Sequence, residues 1–441
     1  MNWNKISAIV LAAVGSCMAT FSQAQEVKRF DFGSSTAAEG FTAVTGSMTY
    51  NEQRGFGFET DAKVTDVVNA TGDALTKDYV TSSDPFFKFS VKLPEGNYKV
   101  TVTLGNTEGE SRTTVKAENK RLMLESITTA PNETKKVSFN VNVRQPNLSE
   151  GNTIKLNSRE WDKETKKAKT YTWDEKLTLQ FNDSKPCVCA IEIEPLDKVI
   201  TVFTIGDSTL TDGGGVWAQY IPRWFDENVV VANHAESGMT IKGFRFGRRW
   251  DKVIESAKEG DYVFIQLGTN DQKSRGHDPM WATEDRAGDW VRTHSDAETD
   301  YIWSLATMAV EAKRNGLIPV IVSPLTKINR NTYTITDMMT PYGINARKAA
   351  ELADCAYIDL WGMSVEIVNA LGEGVLKVFS DGTHCDNYGG YLFALCIAKG
   401  IKENNLDLGK YFIEEMPDID PKAPKPSFEE FTVPIEPRVR R

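Results

Sequence analysis

The sequence predicts two folds in series: an all-β sandwich of jelly-roll type over residues 25–198, then an α/β domain on a parallel sheet over 199–407. Three observations carry this. Short period-two runs fill the first half, continuous apolar runs alternate with helical spacing in the second, and the pattern changes at Pro195-Leu196-Asp197-Lys198. In the first half Tyr98, Val100, Val102 and Leu104 alternate with Lys99, Thr101 and Thr103. Val137, Phe139, Val141 and Val143 repeat the pattern, as do Leu177, Leu179 and Phe181. Turn residues such as Pro94-Glu95-Gly96-Asn97 separate the runs, as a sandwich requires. In the second half, apolar runs at 199–205, 229–232, 262–267, 318–323 and 356–360 alternate with helical spacing at 216–225, 301–314, 343–353 and 387–399. Uninterrupted apolar strands joined by helices imply a parallel sheet covered on both faces, with ligands at the carboxyl ends of its strands. The linker is too short for a flexible tether, so the two domains are expected to pack together.

Composition bounds the function. The chain has 441 residues, 40% of them hydrophobic and 25% charged, which supplies real cores and more than one domain. A net charge of −10 excludes a nucleic-acid binder and docking on anionic lipid, since both need a basic footprint. Lys5, an apolar stretch over 6–14 and Ser22-Gln23-Ala24 read as a secretory leader over 1–24, whose removal takes the charge to −11. The apolar stretch is too short to span a membrane. Val14-Gly15-Ser16-Cys17 is a weak mimic of a lipoprotein acylation site; the reading preferred is a secreted or periplasmic protein.

Five cysteines remain after cleavage, an odd number for an oxidising compartment. Cys187 and Cys189 are expected on the same strand face as Ile191 and Ile193, running side by side without bonding, as buried free thiols. No cysteine spacing resembles a zinc site, and no metal ligand set is expected. Two stretches fit neither domain pattern: a polar insertion over 272–299 rich in Trp, Arg and Asp, and a Pro-rich tail over 408–441, either an extended wrap or unordered.

Four blocks carry chemistry. The first apolar strand ends in Gly206-Asp207-Ser208-Thr209, which places Ser208 at a strand-to-helix turn, suited to nucleophilic attack. Another ends in Gly268-Thr269-Asn270-Asp271, where the Asn270 amide can donate to a developing oxyanion. The second strand leads into Asn233-His234-Ala235-Glu236-Ser237-Gly238, and Gly238 offers a backbone N–H that can approach closely. Downstream, Asp381 precedes His384 by three residues, a spacing that lets the carboxylate orient the ring and leaves Nε2 for the Ser208 proton. Each block alone has an ordinary structural use, as a cap or a left-handed turn. Of the other histidines, His277 and His294 lie in the insertion and His234 is read as structural.

In order and at strand ends, these blocks resemble the SGNH (GDSL-type) hydrolase superfamily over roughly residues 199–403. The resemblance implies a flavodoxin-like three-layer α/β/α domain. It also implies Ser208 as nucleophile, His384 as base, Asp381 as its orienter, and the Ser208 N–H, the Gly238 N–H and Asn270 as oxyanion donors, with no metal or organic cofactor. Within the superfamily, Gly-Asp-Ser-Thr, Trp217-x-Gln219 and Asn-His-Ala-x-Ser-Gly are similar to rhamnogalacturonan acetylesterases. Arg29-Phe30-Asp31-Phe32-Gly33, Arg54-Gly55-Phe56-Gly57-Phe58-Glu59 and Leu93-Pro94-Glu95-Gly96-Asn97-Tyr98 are similar to the β-sandwich preceding the esterase in two-domain bacterial members. Thr269 stands where that group commonly has His, and Met239 where it has Arg.

The expectation is a secreted serine esterase that removes O-acetyl groups from a pectic polysaccharide such as rhamnogalacturonan, through an acetyl-Ser208 intermediate. An acidic protein repels an anionic polymer, so local cations should line the groove. Arg245, Arg275, Arg286 and Arg292 are candidates, with Trp281 and Trp290 as stacking faces and Thr269 at the border of the site. The alternatives are an acetylesterase on another glycan such as xylan or peptidoglycan, a lipid esterase or thioesterase, and a non-enzymatic surface glycan binder. The sandwich is expected to pack or assist, with sugar or calcium binding open; nothing in the sequence sets the oligomeric state.

Overall fold

The computed structural model describes residues 26–69, 71–105, 107–272 and 295–434. Residues 1–25, 70, 106, most of the insertion (273–294) and 435–441 lie outside the described residues.

Two five-stranded sheets form the β half. In spatial order the first contains Thr134–Val143, Gly96–Gly105, Ala190–Pro195, Lys28–Phe32 and Thr42–Val44; the second contains Phe56–Phe58, Phe86–Lys92, Lys176–Lys185, Ser111–Ala117 and Arg121–Thr129. The alternation read in the sequence faces inward: Tyr98, Val100, Val102, Leu104, Phe139, Val141, Leu177, Leu179 and Phe181 share one core with Phe32, Phe87 and Phe89. Fully burying a side chain of this size contributes roughly 1.5–3 kcal/mol, so this layer suffices to hold the sheets face to face.

The cysteine reading needs correction. Cys187 and Cys189 pack with Tyr79 and Val67, whereas Ile191 and Ile193 point into the main core. Cys187–Val188 pairs with Asp78–Thr81, while Ala190–Pro195 pairs with Lys28–Phe32 and Gly96–Gly105. The chain changes partners at Cys189, and the phase of its alternation slips there. Both thiols are free.

The second half is a parallel sheet of β1 (Ile200–Gly206), β2 (Val229–Asn233), β3 (Tyr262–Gln266), β4 (Ile318–Val322) and β5 (Ala356–Ile358). The strand order is β2-β1-β3-β4-β5. Alternate residues face opposite sides. Val202, Phe264, Val320 and Val322 meet the helices Leu360–Leu371 and Asn387–Glu403. Phe203, Ile205, Val263, Ile265 and Ile321 meet Asp300–Arg314 and Thr340–Ala353. This is the three-layer, flavodoxin-like arrangement, and its order reverses between β1 and β3, so the crevice for a ligand opens at their carboxyl ends. The helical spacing at 216–225 resolves into Trp217–Tyr220 and a tighter 3-10 turn, Ile221–Trp224, because Pro222 has no N–H to continue an α-helix.

Asn387–Glu403 is buried nearly all round, since the tail covers its outer side: Phe431 packs on Tyr388 and Tyr391, and Tyr388 donates to the Pro426 carbonyl at 2.9 Å. As far as residue 434, the tail is therefore a wrap. The two halves pack directly. Asn140 donates to the Glu227 and Val229 carbonyls at 2.8 and 3.2 Å, and Lys252 meets Glu95 at 2.7 Å.

Candidate active site

Two residues beyond β1, Ser208 lies half-buried in a turn fastened from within. Asp207 is fully buried; its Oδ1 accepts from the Thr209 N–H and hydroxyl at 2.9 Å each, and its carbonyl accepts from Leu210 and Thr211. Below the turn, Gln266 of β3 donates to Thr209 Oγ1 at 2.9 Å and accepts from Trp217 Nε1 at 2.7 Å. The nucleophile candidate is thus tied to the adjacent strand β3 and to the helix that follows its turn by buried side-chain hydrogen bonds.

Ser208 Oγ lies 2.9 Å from His384 Nε2, and His384 Nδ1 lies 2.7 Å from Asp381 Oδ2. The other carboxylate oxygen, Oδ1, accepts the Thr383 and His384 backbone N–H groups at 2.7 Å each. Burial acts to raise the Asp381 pKa, but the His384 ring and these two amides outweigh it and hold the carboxyl well below its ordinary range. The carboxylate is therefore ionised at neutral pH and favours the tautomer with its proton on Nδ1, leaving Nε2 as an acceptor for the serine proton. A hairpin, Lys327–Asn329 with Thr334–Thr336, steadies this loop: Ile328 donates to the Gly382 carbonyl at 3.0 Å and the Arg330 guanidinium donates to the Ser380 carbonyl.

Asn270 follows β3 and is buried; its Nδ2 donates to the Met239 carbonyl at 3.0 Å. Gly238, which follows β2, has φ +86°, a conformation that glycine adopts without a Cβ penalty. Asp271 receives the Ile241 N–H on Oδ1 at 3.2 Å, so the loops after β2 and β3 are laced together. An acyl ester whose carbonyl carbon met Ser208 would have these amide donors on the same edge of the sheet, the layout that acyl transfer needs.

The remaining sequence candidates fall elsewhere. Thr269 is buried beside Asn270, and its carbonyl accepts from Gln272 at 3.2 Å. Arg245 forms an ion pair with Glu311 at 2.5 Å, which ties its helix to the helix Asp300–Arg314 and takes up its guanidinium. Arg275, Trp281, Arg286, Trp290 and Arg292 lie outside the described residues. His234 is buried between Trp173 and Phe203, with ring contacts at 5.3 and 5.4 Å, as a structural histidine should be. The reading of the sequence passed over Gln266 and the hairpin at 327–336; the amide at the end of an otherwise apolar strand was the signal for the first.

Burial, with Asp207 near by, raises the Asp271 pKa to about 7. A raised carboxyl keeps its proton in the folded state after the unfolded chain, at 3.8, has lost it. Its contribution to stability is thus fully present below 3.8, declines as pH rises to about 7, and is constant above. Asp271→Asn retains the acceptor for Ile241 and removes the titration. The expected result is a flatter profile of Tm between pH 4 and 7 than wild type; superimposable profiles would contradict it.

Residues 204–384 match the GDSL-like lipase/acylhydrolase family, and residues 28–154 match the galactose-binding domain-like module of β-agarase/YXIM esterase-like proteins. The chain is 28% identical over 313 residues to the uncharacterised esterase YxiM of Bacillus subtilis, covering 68% of this chain and 69% of that one. It is 27% identical over 244 residues to the rhamnogalacturonan acetylesterase RhgT of Bacillus subtilis, covering 49% and 96%. The crystal structure of the Bacillus subtilis YxiM protein is 22% identical, covers 87% of this chain and 99% of that one, and has a TM-score of 0.42. The reversal of strand order between β1 and β3, a serine–histidine–aspartate relay beyond β1, and the family-model and sequence matches agree: the chain carries a GDSL/SGNH lipase–acylhydrolase domain behind a galactose-binding-like β domain, homologous to YxiM and to rhamnogalacturonan acetylesterases.

Proposed function

We propose that the protein is an exported carbohydrate O-acetylesterase acting on an acetylated acidic polysaccharide of the rhamnogalacturonan type. Ser208 attacks the acetyl carbonyl while His384 Nε2 takes its proton. The sugar hydroxyl leaves with that proton, and His384 then activates water to release acetate from Ser208. The observation that carries the reading is the unbroken relay of 2.9 and 2.7 Å from Ser208 Oγ through His384 to Asp381. Similarity to RhgT over nearly the whole of that enzyme supports a pectic substrate over a lipid. The leader-like residues 1–24 support export.

The test is acetate release from acetylated rhamnogalacturonan, xylan and peptidoglycan, with 4-nitrophenyl acetate and octanoate as small esters. Wild type should prefer the pectic polymer and the acetate ester, and Ser208→Ala should release nothing from either. Full activity in Ser208→Ala refutes the mechanism. A preference for xylan or peptidoglycan moves the substrate, and a preference for octanoate moves the class to lipid esterase.

A further inference from the structure

We infer that one turn of the β-sandwich, 118–121, is a positioning element for the Ser208 loop, so that the sandwich is a structural half of the catalytic unit. The inference rests on the reading of Ser208 as nucleophile. Strands Ser111–Ala117 and Arg121–Thr129 are joined by Glu118-Asn119-Lys120, and two of these residues hold left-handed backbone, Glu118 at φ +55° and Lys120 at +74°. Non-glycine residues seldom adopt that conformation, and it persists where the surroundings over-determine it. The surroundings here are the loop that follows Ser208.

Three tethers run from this turn to that loop. Asn119 Nδ2 donates to the Asp212 carbonyl at 3.0 Å. Gln219 Nε2 donates to the Lys120 carbonyl at 3.1 Å while its Oε1 accepts from the Gly215 and Val216 N–H groups at 2.6 and 3.1 Å. Arg121, which is 1% exposed, has Nε 3.3 Å from Asp212 Oδ2 and donates to the Val231 carbonyl of β2 at 3.1 Å. The approach is as close as it can be: Gly213 has φ +92°, and a Cβ there would stand 2.6 Å from Asn119 Nδ2.

Asp212 also reaches the other side of the site. Its Oδ1 accepts from Asn233 Nδ2 at 2.7 Å, and Asn233, the last residue of β2, donates to the Leu210 carbonyl at 2.7 Å and accepts from the Ala235 N–H at 3.1 Å. The same carboxylate thus joins the sandwich, the Ser208 loop and the start of the loop that ends in Gly238. From within its own domain the far half of the Ser208 loop is held by Asn233 and Gln219; Asn119 and Arg121 fix it from outside. A misplacement of an ångström at a nucleophile lowers turnover by about a hundredfold, so these two side chains act on Ser208 without touching substrate.

The test is turnover of 4-nitrophenyl acetate by the full chain carrying Asn119→Ala, Arg121→Met or Arg121→Lys, with Lys99→Ala as control. Lys99 pairs with Glu227 at 2.6 Å in the same domain interface, away from the Ser208 loop. This small ester makes no use of a sugar-binding surface. Asn119→Ala is expected to stay folded by circular dichroism, with kcat lowered about tenfold or more, KM within about twofold and slower labelling of Ser208 by a fluorophosphonate. Arg121→Met should lose more, Arg121→Lys should recover part of the loss, and Lys99→Ala should match wild type. Should Arg121→Met fail to fold, Asn119→Ala decides alone.

Wild-type kcat in folded Asn119→Ala overturns the inference, as does a Lys99→Ala loss of equal size, which would make the effect one of docking in general. A sandwich that serves only to bind glycan would leave small-ester turnover intact and raise KM on the polymer. Acetate release by Ser208→Ala would instead remove the nucleophile reading on which the inference stands.

Discussion

His384→Ala should lower kcat on 4-nitrophenyl acetate on the order of a millionfold, with little change in KM. His384 Nε2 is the acceptor set against Ser208 Oγ at 2.9 Å, and without it the hydroxyl must lose its proton to water. Asp381→Asn should cost about 10⁴-fold, because an amide can stabilise the wrong tautomer of the ring and does not stabilise the imidazolium formed as Ser208 attacks. The smaller loss is expected because the Asp381 side chain stays half-exposed, and water can replace part of its role.

The two variants also separate in acid. The folded-state pKa of Asp381 is depressed, so its contribution to stability is present above its ordinary value of 3.8 and is lost as pH falls below it. Asp381→Asn should therefore reduce Tm at neutral pH and converge with wild type in strong acid. Single-turnover measurements with both variants give the check, and more than about one per cent of wild-type kcat in His384→Ala would remove His384 from the base role.

Most of the site was legible in the sequence because its residues obey local rules. Ser208, Gly238 and Asn270 each stand just beyond an apolar run, and in a parallel sheet such positions converge on one edge whatever the loops between them do. Asp381 and His384 were readable by their spacing, which sets a carboxylate against its own downstream amides and ring. The fold class followed from the same source: a change from period-two to continuous apolar runs near residue 198 reports how many faces of each sheet are buried.

What stayed hidden depends on partners distant in sequence. Arg121 reads as one polar residue in an alternating strand, yet it is buried against β2, about a hundred positions away. Periodicity records which face of an element is covered and carries no record of which domain covers it. The phase slip at Cys189 was lost for a related reason: the strand exchanges one neighbour for another within Cys187-Val188-Cys189-Ala190-Ile191, a run with no polar residue to mark the change. Asn387–Glu403 shows weak amphipathicity because the tail, whose Pro-rich composition suits an extended wrap and an unordered segment equally, supplies the second apolar surface.

Asn270→Ala should lower kcat by about 10²–10³-fold, or roughly 2.7–4 kcal/mol of transition-state stabilisation, with the ester KM nearly unchanged. The negative charge on the carbonyl oxygen exists only after Ser208 has attacked, so a donor aimed at it acts on the transition state and leaves ground-state binding alone. The Met239 carbonyl holds Asn270 Nδ2 at 3.0 Å, which fixes the plane of the amide and with it the direction of its other N–H hydrogen. That contact raises a competing account, in which Asn270 serves only to pin the loop bearing Gly238. Asn270→Asp distinguishes the two. A carboxylate offers no hydrogen to either partner and sets a negative charge against the forming oxyanion, so it should be worse than alanine in kcat. Were pinning its whole role, both variants would lower Tm and disturb KM together, and a faster Asp variant than Ala variant would take Asn270 out of the oxyanion hole.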